Sequence, residues 1–452
     1  MDILPQTLQR IKDDLNQFLD PHDIEQTCRD VGYAWRQRTL DPVTTIQWFI
    51  QQVLHGNIAC TAVRHLANQN FSAAAYCQAR ARLPRAVFDR LLEDTVAMAN
   101  RYTHTHDGRW LGHRVHHIDG TSFSMPDTPT LQNHYGQPGQ QAKGCGFPVA
   151  HLLARFDANT GLILDVTTSP MRTHDMAKVA DTQGHLQAGD LIIGDCAFCT
   201  YAHFTLVLQG HMHGLFPIHQ RRIIDFTPGR AYAKPRRGKH EHQKGLPRSR
   251  WLKKLGERDQ IVQWLKPAGR PKWMTIDEYD ALPDAVVLRE VQCKVRRCDG
   301  KRITVTMATT LIDANKYPPH ALAKILQRRW EVETNIGHLK TTLKMNVLHC
   351  KTADGVIKEL TIYVLVYNMV RLVMLEAAQR QNVPAKRISF ADTLAWLRYA
   401  SPGDLLCVMV VNPDRHGRWE VRAVKRRPKP HKLLTQPRHV MRNALVKQRL
   451  AA

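Results

Sequence analysis

The sequence predicts a mixed α/β protein made of several structural units, and three observations support that prediction. Its 452 residues exceed what one ordinary hydrophobic core accommodates. Helical patterns occupy the chain to about residue 105 and again at about 318–380, whereas strand patterns dominate much of the region between them. The formal net charge of +24, from 64 Lys and Arg against 40 Asp and Glu, predicts a polyanionic partner, most simply nucleic acid.

The N-terminal region, residues 1–105, contains two short segments that predict a pair of helices joined by a turn. They are IACTAVRHLANQ from Ile58 and FSAAAYCQARARLP from Phe71. Ser72 is a favourable N-cap residue, and Pro84 ends the second segment. The pair resembles a helix-turn-helix, which predicts that this region binds DNA, with two helices that only pack together as the alternative. The side chains expected to face DNA are Gln78, Arg80 and Arg82.

The first part of an α/β core is predicted for residues 106–215. The stretches RVHHID, VAHLLARFD and LILDVTTS have strand patterns, a helix is expected at 174–187, and LIIGD is a short apolar strand. Asp119 and Asp195 are expected where the first and the last of these strands end. Because Asp is common at strand exits, a simple turn role is the alternative for each of them.

A basic, β-rich insertion is predicted for residues 216–311. Up to about residue 273 it is rich in Arg, Lys, Pro and Gly, which predicts an exposed, partly irregular segment. Strand patterns return at VVLREVQCKV from Val286 and at RITVTMATTLI from Arg302. Basic side chains around an aromatic one suit contact with a DNA backbone and stacking on bases, and a merely solvated loop is the alternative. The residues concerned are Arg236, Arg237, Arg248, Arg250, Trp251, Lys253 and Lys254.

The stretch QRRWEVETNIGHLKTT, residues 327–342, has an apolar stripe at helical spacing and a charged stripe beside it. The charged stripe consists of Arg329, Glu333 and Lys340. A solvated ion pair between Arg329 and Glu333 is the simpler interpretation of this stripe. The alternative is a functional carboxylate flanked by two cations that bind phosphates.

Three carboxylates, Asp119, Asp195 and Glu333, favour the functional interpretation. Two strand ends and a facing helix can together hold two divalent ions, and Mg²⁺ prefers such oxygen ligands. Two ions of this kind can activate an attacking oxygen and stabilise the leaving one in phosphodiester chemistry. Arg329 and Lys340 are then expected to bind the DNA phosphates nearest the metals.

These motifs, in this order, resemble the DDE transposases of bacterial insertion sequences, specifically the insertion-sequence-four family. The first motif is matched by HHIDGTSFSMPDTP with YGQPGQQAKGCGFPVA after it, and the second by DLIIGDCAFCTYAHF. The third, Tyr-x2-Arg-x3-Glu-x6-Lys, is matched at Arg329, Glu333 and Lys340. The resemblance covers nearly the whole chain. It implies a ribonuclease-H-like catalytic core that a β-rich insertion interrupts before the last acid.

The resemblance also implies an activity: binding of the element's inverted-repeat ends, cleavage, and joining of the 3′ ends to target DNA by a cut-and-paste route. Two Mg²⁺ ions, with Mn²⁺ as a substitute, are expected at each active site, and a dimer or higher oligomer is expected on paired ends. A non-catalytic DNA-binding repressor derived from such an enzyme is one alternative. A metal-dependent nuclease that does not join strands is another.

The sequence departs from the family pattern at three positions. Leu326 occupies the place of the third motif's tyrosine, and Gly337 lies where similar sequences usually have a basic side chain. Val305 lies near the position at which some relatives use a tryptophan to hold a flipped base. These departures bear on the efficiency of strand cleavage and on the use of a DNA-hairpin route, whereas the three acids are intact.

The remaining expectations concern organisation and compartment. A helical second part of the core is predicted for residues 312–400 and a basic region for 401–452. The absence of a secretory signal and the scattered cysteines predict a cytoplasmic protein, associated with the nucleoid when bound to DNA. No membrane partner is expected, because the apolar run from Leu360 stops at Arg371. Ordinary packing is favoured over zinc binding for Cys196 and Cys199.

Overall fold

Within the residues that the structure describes, a single mixed sheet of nine strands organises the protein. The computed structural model describes residues 20–67, 70–105, 108–173, 175–233, 245–296, 302–399, 406, 408–413 and 434–451. The strands are β1 Val115–Ser124, β2 Val149–Asp157, β3 Ile163–Pro170, β4 Leu191–Ile193, β5 His213–Pro217, β6 Ser249–Gly256, β7 Asp259–Leu265, β8 Ala285–Arg296 and β9 Arg302–Thr309. They lie in the order β3-β2-β1-β4-β5-β9-β8-β7-β6.

Helices cover the sheet and form the N-terminal region. They are α1 Pro21–Asp30, α2 Pro42–Leu54, α3 Cys60–Ala67, α4 Ala73–Arg82, α5 Arg85–Thr105, α6 Pro129–His134, α7 Tyr201–Gln209, α8 Ile276–Asp280, α9 Pro319–Gln327, α10 Trp330–Gly337, α11 Ala353–Arg380, α12 Phe390–Tyr399 and α13 Arg438–Ala451. Ser72 caps α4 by accepting a hydrogen bond from the backbone N–H of Ala75, as its sequence position predicts.

The first five strands form the core half of the sheet. β1 is antiparallel to β2, and β2 is antiparallel to β3, whereas β1, β4 and β5 run parallel. The helix expected at 174–187 is absent from the described residues there, which form only two short 3-10 turns, Asp175–Lys178 and Ala180–Thr182. Met176 and Val179 are buried against the sheet. Apolar residues three apart lie on one side of a 3-10 turn as well as of an α-helix, so their spacing does not distinguish the two structures.

The insertion strands continue the core sheet rather than forming a separate one. β9 pairs antiparallel with β5, and β8, β7 and β6 follow as an antiparallel meander. The hairpin of β6 and β7 lies in the stretch expected to be partly irregular. Its anchor is Trp264, which is fully buried and donates a hydrogen bond from Nε1 to Glu290 at 2.8 Å.

The largest hydrophobic core joins the two ends of the sequence. It combines apolar residues of α1, α2 and α5 with one face of β1–β3 and with the long helix α11. By length and composition α11 could span a membrane, but 89% of its most apolar window is buried inside the protein. The N-terminal helices therefore share their core with α11 and depend on it for burial.

Candidate active site

Asp119 and Asp195 occupy equivalent positions on two neighbouring parallel strands. The β1–β4 pairing ends at His117 opposite Ile193, and each aspartate lies two residues farther along its chain. Asp195 follows the end of β4, as expected. Asp119 does not close its strand, because β1 runs on to Ser124 and stays paired with β2 over that length. The expectation of a strand end at Asp119 was therefore wrong.

Local backbone contacts fix both aspartates. Asp119 Oδ1 accepts the N–H of Gly120 at 2.8 Å, and Asp195 Oδ1 accepts the N–H of Ala197 at 2.8 Å. Gly194 allows close packing beside them, since a Cβ there would lie 2.7 Å from the Phe198 ring and 3.0 Å from Ile118. A larger residue at Gly194 would push the turn that carries Asp195 away from β1.

Glu333 is supplied by α10, a helix in contact with β1. Its Oε1 lies 3.3 Å from the guanidinium of Arg329, and the Glu333 side chain is 45% exposed. The same helix turns Val332 into the core. Helical spacing thus produces the buried stripe and the charged border that the sequence indicates.

The electrostatics of Asp119 connect the three acids. Burial raises the pKa of Asp119 to about 6, and repulsion by the charges of Asp195 and Glu333 adds to this, while the Gly120 N–H and Arg329 act in the opposite direction. The two other carboxylates are thus near enough to act on Asp119. Throughout the described ranges, however, no three His, Cys, Asp or Glu side chains are close enough together to bind one ion.

Lys340 lies beyond a change in the helix. After Gly337 the chain makes one π-helical turn, His338–Thr342, which widens the helix and alters its phase. Lys340 lines a groove with Lys344, Asn346 and His349 of the following segment, and with Gly56 and Asn57 of the N-terminal region. Sequence reasoning missed Lys344, whose exposed side chain doubles the charge of this groove.

Only some of the side chains predicted to face DNA on the helix pair α3–α4 are exposed. Gln78 and Arg82 are exposed. Arg80 faces inward: its guanidinium lies 3.5 Å from the Phe49 ring centroid and donates to Gln52 Oε1 at 2.9 Å and to Cys350 Sγ at 3.0 Å. The expectation that Arg80 faces DNA was therefore wrong, because these intramolecular partners occupy its side chain.

The insertion candidates follow the edge strand β6. Arg250, Lys253 and Lys254 are exposed there, as is Arg248 just before the strand. Trp251 is half-buried, and its Nε1 lacks a hydrogen-bond partner among the described residues. Basic side chains on an edge strand also discourage pairing with other chains. Arg236 and Arg237 lie outside the described residues, as does most of the basic region 401–452.

The departures from the family pattern have simple structural settings. Leu326 is buried in a cluster with Val115, Leu191 and Leu322, so a tyrosine hydroxyl there would need a partner inside the core. Among the described residues, no atom outside the local helix backbone and the two neighbouring residues lies within 4 Å of a Cβ placed on Gly337. Val305 is half-buried on β9.

The adjacent histidines on β1 face opposite sides of the sheet. His116 is fully buried, with Nε2 lying 3.0 Å from Asp190 and Nδ1 lying 3.1 Å from the Arg155 guanidinium, so both ring nitrogens have partners inside the core. His117, on the Asp119 face, is buried, and its Nε2 has no hydrogen-bond partner within the described part of the chain. Burial and the charge of Arg328 lower the pKa of His117 to about 3.

A mixed sheet of this order, with acids grouped beyond its short parallel strand β4, fits the ribonuclease-H-like core of enzymes that act on phosphodiesters. The family model described as "Transposase DDE domain" matches residues 110–369, more than half of the chain. The chain therefore belongs to the DDE transposase family, whose members cleave and transfer DNA strands. Its similarity to a transposase of insertion sequence element IS4 supports the IS4 type.

Proteins similar to this chain include two bacterial transposases and a solved transposase complex. The transposase InsG for insertion sequence element IS4, from Escherichia coli (strain K12), is 24% identical over 449 residues and covers 92% of each chain. The putative transposase InsZ of the same organism is 30% identical over 100 residues, 22% of this chain and 33% of that protein. The cryo-EM structure of the piggyBac transposase synaptic complex with hairpin DNA has a TM-score of 0.45 at 8% identity, covering 87% of this chain and 79% of that one.

Proposed function

We propose that this transposase binds the ends of its own insertion sequence, cleaves them by two-metal chemistry and joins the 3′ ends to target DNA. The observation that carries the proposal is the electrostatic grouping of Asp119, Asp195, Glu333 and Arg329 beyond the end of β4. The family shows the class of enzyme, and this group supplies the chemistry that the class requires.

The donor set fits divalent cations. Three carboxylates whose mutual repulsion helps to raise the pKa of Asp119 would be stabilised by hard cations, and oxygen is the ligand that Mg²⁺ and Mn²⁺ prefer. Asp119, Asp195 and Glu333 would hold two ions, Glu333 after leaving its ion pair with Arg329. When bound, the ions would lower the pKa of an attacking water or hydroxyl and stabilise the leaving oxygen.

The other side chains would position the DNA. Arg329, released from Glu333, offers a planar pair of donors to a phosphate near the acids. Lys340 and Lys344 provide two point charges in the groove beside the N-terminal region, which suits a DNA backbone that passes from the acids toward α3 and α4. Gln78 and Arg82 on α4 are the proposed readers of the element's ends, and the basic tail and β6 add further backbone contacts.

A plasmid assay tests this function. Full-length protein is incubated with Mg²⁺ and supercoiled DNA that carries the element's two ends, and cut and joined products are separated on gels. Joined products support the proposal. Cuts without joining identify a nuclease, and specific binding without cuts identifies a repressor.

Glu333→Gln tests the metal-binding role. It removes one ligand charge, and a metal that supplies several kcal/mol of transition-state stabilisation makes a loss on the order of 10³-fold in cleavage the expected result. The fold should survive, because the partly exposed Arg329–Glu333 pair contributes only about 0.2–1 kcal/mol. Substantial cleavage by a folded Glu333→Gln protein would remove Glu333 from the proposed site.

Lys340→Ala is the matched comparison. It leaves the acids intact and deletes one proposed phosphate contact, so the slope of log affinity against log salt should fall by about 1. Lower salt should restore much of its cleavage but little of that lost in Glu333→Gln. Lys324→Ala, which removes an exposed lysine from α9, serves as the control for loss of a surface charge. An unchanged salt slope for Lys340→Ala would exclude the proposed contact.

A further inference from the structure

Two cysteine thiols meet between the paired helices α3 and α4. Sγ of Cys77, in the middle of α4, lies 3.3 Å from Sγ of Cys60, the first residue of α3. A disulfide bond is about 2.05 Å long, so bonding would require the two sulfur atoms to approach by little more than 1 Å. The helices already hold them at contact distance, which is the main geometric requirement for a bridge.

The surroundings give the two thiols different roles. Cys77 is exposed and accessible to a soluble oxidant, whereas Cys60 is half-buried. Burial raises the pKa of the Cys60 thiol to about 11, which makes Cys60 a poor first nucleophile at neutral pH. The exposed thiol therefore reacts first and the neighbouring one resolves the product.

A third cysteine, Cys350, lies near the Cys60–Cys77 pair but is hydrogen-bonded to Arg80. Cys350, on the segment before α11, accepts a hydrogen bond from the Arg80 guanidinium at 3.0 Å. The same guanidinium lies 3.9 Å from Sγ of Cys60. The Arg80 guanidinium thus separates Cys60 from Cys350 and contacts the sulfur atoms of both cysteines.

We propose that Cys60 and Cys77 form an oxidant-sensitive dithiol site that closes to a disulfide and fastens α4 to α3. With hydrogen peroxide, the Cys77 sulfur attacks one peroxide oxygen, the O–O bond breaks, and Cys77 sulfenic acid and water form. The Cys60 sulfur then attacks the sulfur of Cys77, its proton and the hydroxyl leave as a second water, and the S–S bond forms. Both thiols are oxidised by two electrons in total, and one peroxide is reduced.

The consequence follows from where the bridge lies. It closes the loop from residue 60 to residue 77, which includes the turn between the helices, and so restricts the unfolded chain more than the folded one. The exposed residues Gln78 and Arg82 remain on the outer side of α4. Oxidation is therefore expected to stabilise the helix pair in its present arrangement.

Peptide mapping tests the site directly. The full-length protein is treated with a small excess of hydrogen peroxide, its remaining thiols are blocked, and it is digested with trypsin without reductant. Cleavage after Arg38, Arg64 and Arg80 places Cys60 in the peptide of residues 39–64 and Cys77 in that of residues 65–80. The expected product is these two peptides joined, two mass units lighter than their sum, with the thiol count lower by two and both changes reversed by dithiothreitol.

Two variants and one physical measurement complete the test. Cys77→Ser, at an exposed position, should abolish the linked product, whereas Cys350→Ser should retain it. The oxidised wild-type protein should unfold at a higher temperature than the reduced one, and Cys77→Ser should lose that shift. A bridge from Cys60 to the Cys350 peptide, residues 345–351, would overturn the proposal. So would oxidation of Cys77 to sulfinic acid with no bridge, or a lower unfolding temperature after bridging.

Discussion

Glu359 is the buried carboxylate on which the junction of three chain segments depends. It lies on α11 and is fully buried. Its oxygens accept hydrogen bonds from Asn57 Nδ2 at 2.6 Å, from the His349 N–H at 2.9 and 3.1 Å, and from the Cys350 N–H at 2.8 Å. Asn57 has a positive φ of 55°, a conformation that Asn tolerates better than most residues.

Substitution of Glu359 should destabilise this junction by a predictable amount. Glu359→Gln keeps the volume but places an NH₂ group among groups that are all donors. Because each hydrogen bond to a charged acceptor contributes about 1.5–3 kcal/mol, the loss of one oxygen should cost about 2–3 kcal/mol. Glu359→Ala leaves three donors without an acceptor, including the buried Asn57 amide, and should cost about 3–5 kcal/mol.

Urea denaturation followed by tryptophan fluorescence and circular dichroism measures these losses. The matched control is Glu376→Gln on the same helix, which removes only the pair with Arg380 at 2.9 Å and should change the free energy of unfolding by no more than about 0.5 kcal/mol. If Glu359→Gln were as stable as Glu376→Gln, the four hydrogen bonds would not hold the junction and the reasoning would fail.

Three further predictions concern pH, the helix that carries Glu333 and the shared core. Burial lowers the pKa of His203 to about 4, below its value near 6.5 in the unfolded chain. The contribution of His203 to stability is therefore complete above pH 6.5 and decreases as the pH falls toward 4. By pH 5 this loss is about 2 kcal/mol. His203→Phe, compared with wild type by urea denaturation at pH 7 and pH 5, should lose about that much of the pH dependence, and an unchanged dependence would refute the assignment. Gly337→Ala should raise the free energy of unfolding by about 0.4–1 kcal/mol, because the site has space and a helical φ of −59°; lower stability in the same assay would contradict this. Deletion of residues 1–105 should expose α11 and give a protein that aggregates or binds the dye ANS, whereas a monomeric, dye-free product would show that the two parts are separable.

The sequence was sufficient where a local pattern decided the structure. Ser72 caps α4 because a side-chain oxygen at that position reaches a nearby N–H, and Glu333 lies at the border of a buried stripe because helical spacing places it there. The strands from Val286 and Arg302 have enough β-branched residues to be found directly. The same local rules explain why α9, α10 and α11 occupy the predicted helical stretch.

The expectations that were wrong depended on distant partners. Asp119-Gly120 has the composition of a turn, yet pairing with β2 carries β1 past it to Ser124. Arg80 has the composition of a DNA contact, yet its partners Gln52 and Cys350 lie 28 and 270 residues away in the sequence. The hairpin of β6 and β7 was obscured by its basic surroundings, although the alternation in DQIVQWL is a strand signal.

The shared core makes folding of this chain depend on the order of synthesis. The N-terminal helices end at Thr105 and α11 begins at Ala353, so 247 residues of sequence lie between the two surfaces that must meet. At about 5–20 residues per second, a ribosome needs roughly 12–50 s to make the intervening chain. During that time the apolar faces of α2 and α5 have no α11 to cover them, which makes the nascent N-terminal region a substrate for chaperones and proteases. Contacts of such long sequence separation also slow refolding of the complete chain, so we expect more active protein from slow, cool expression than from rapid dilution out of denaturant.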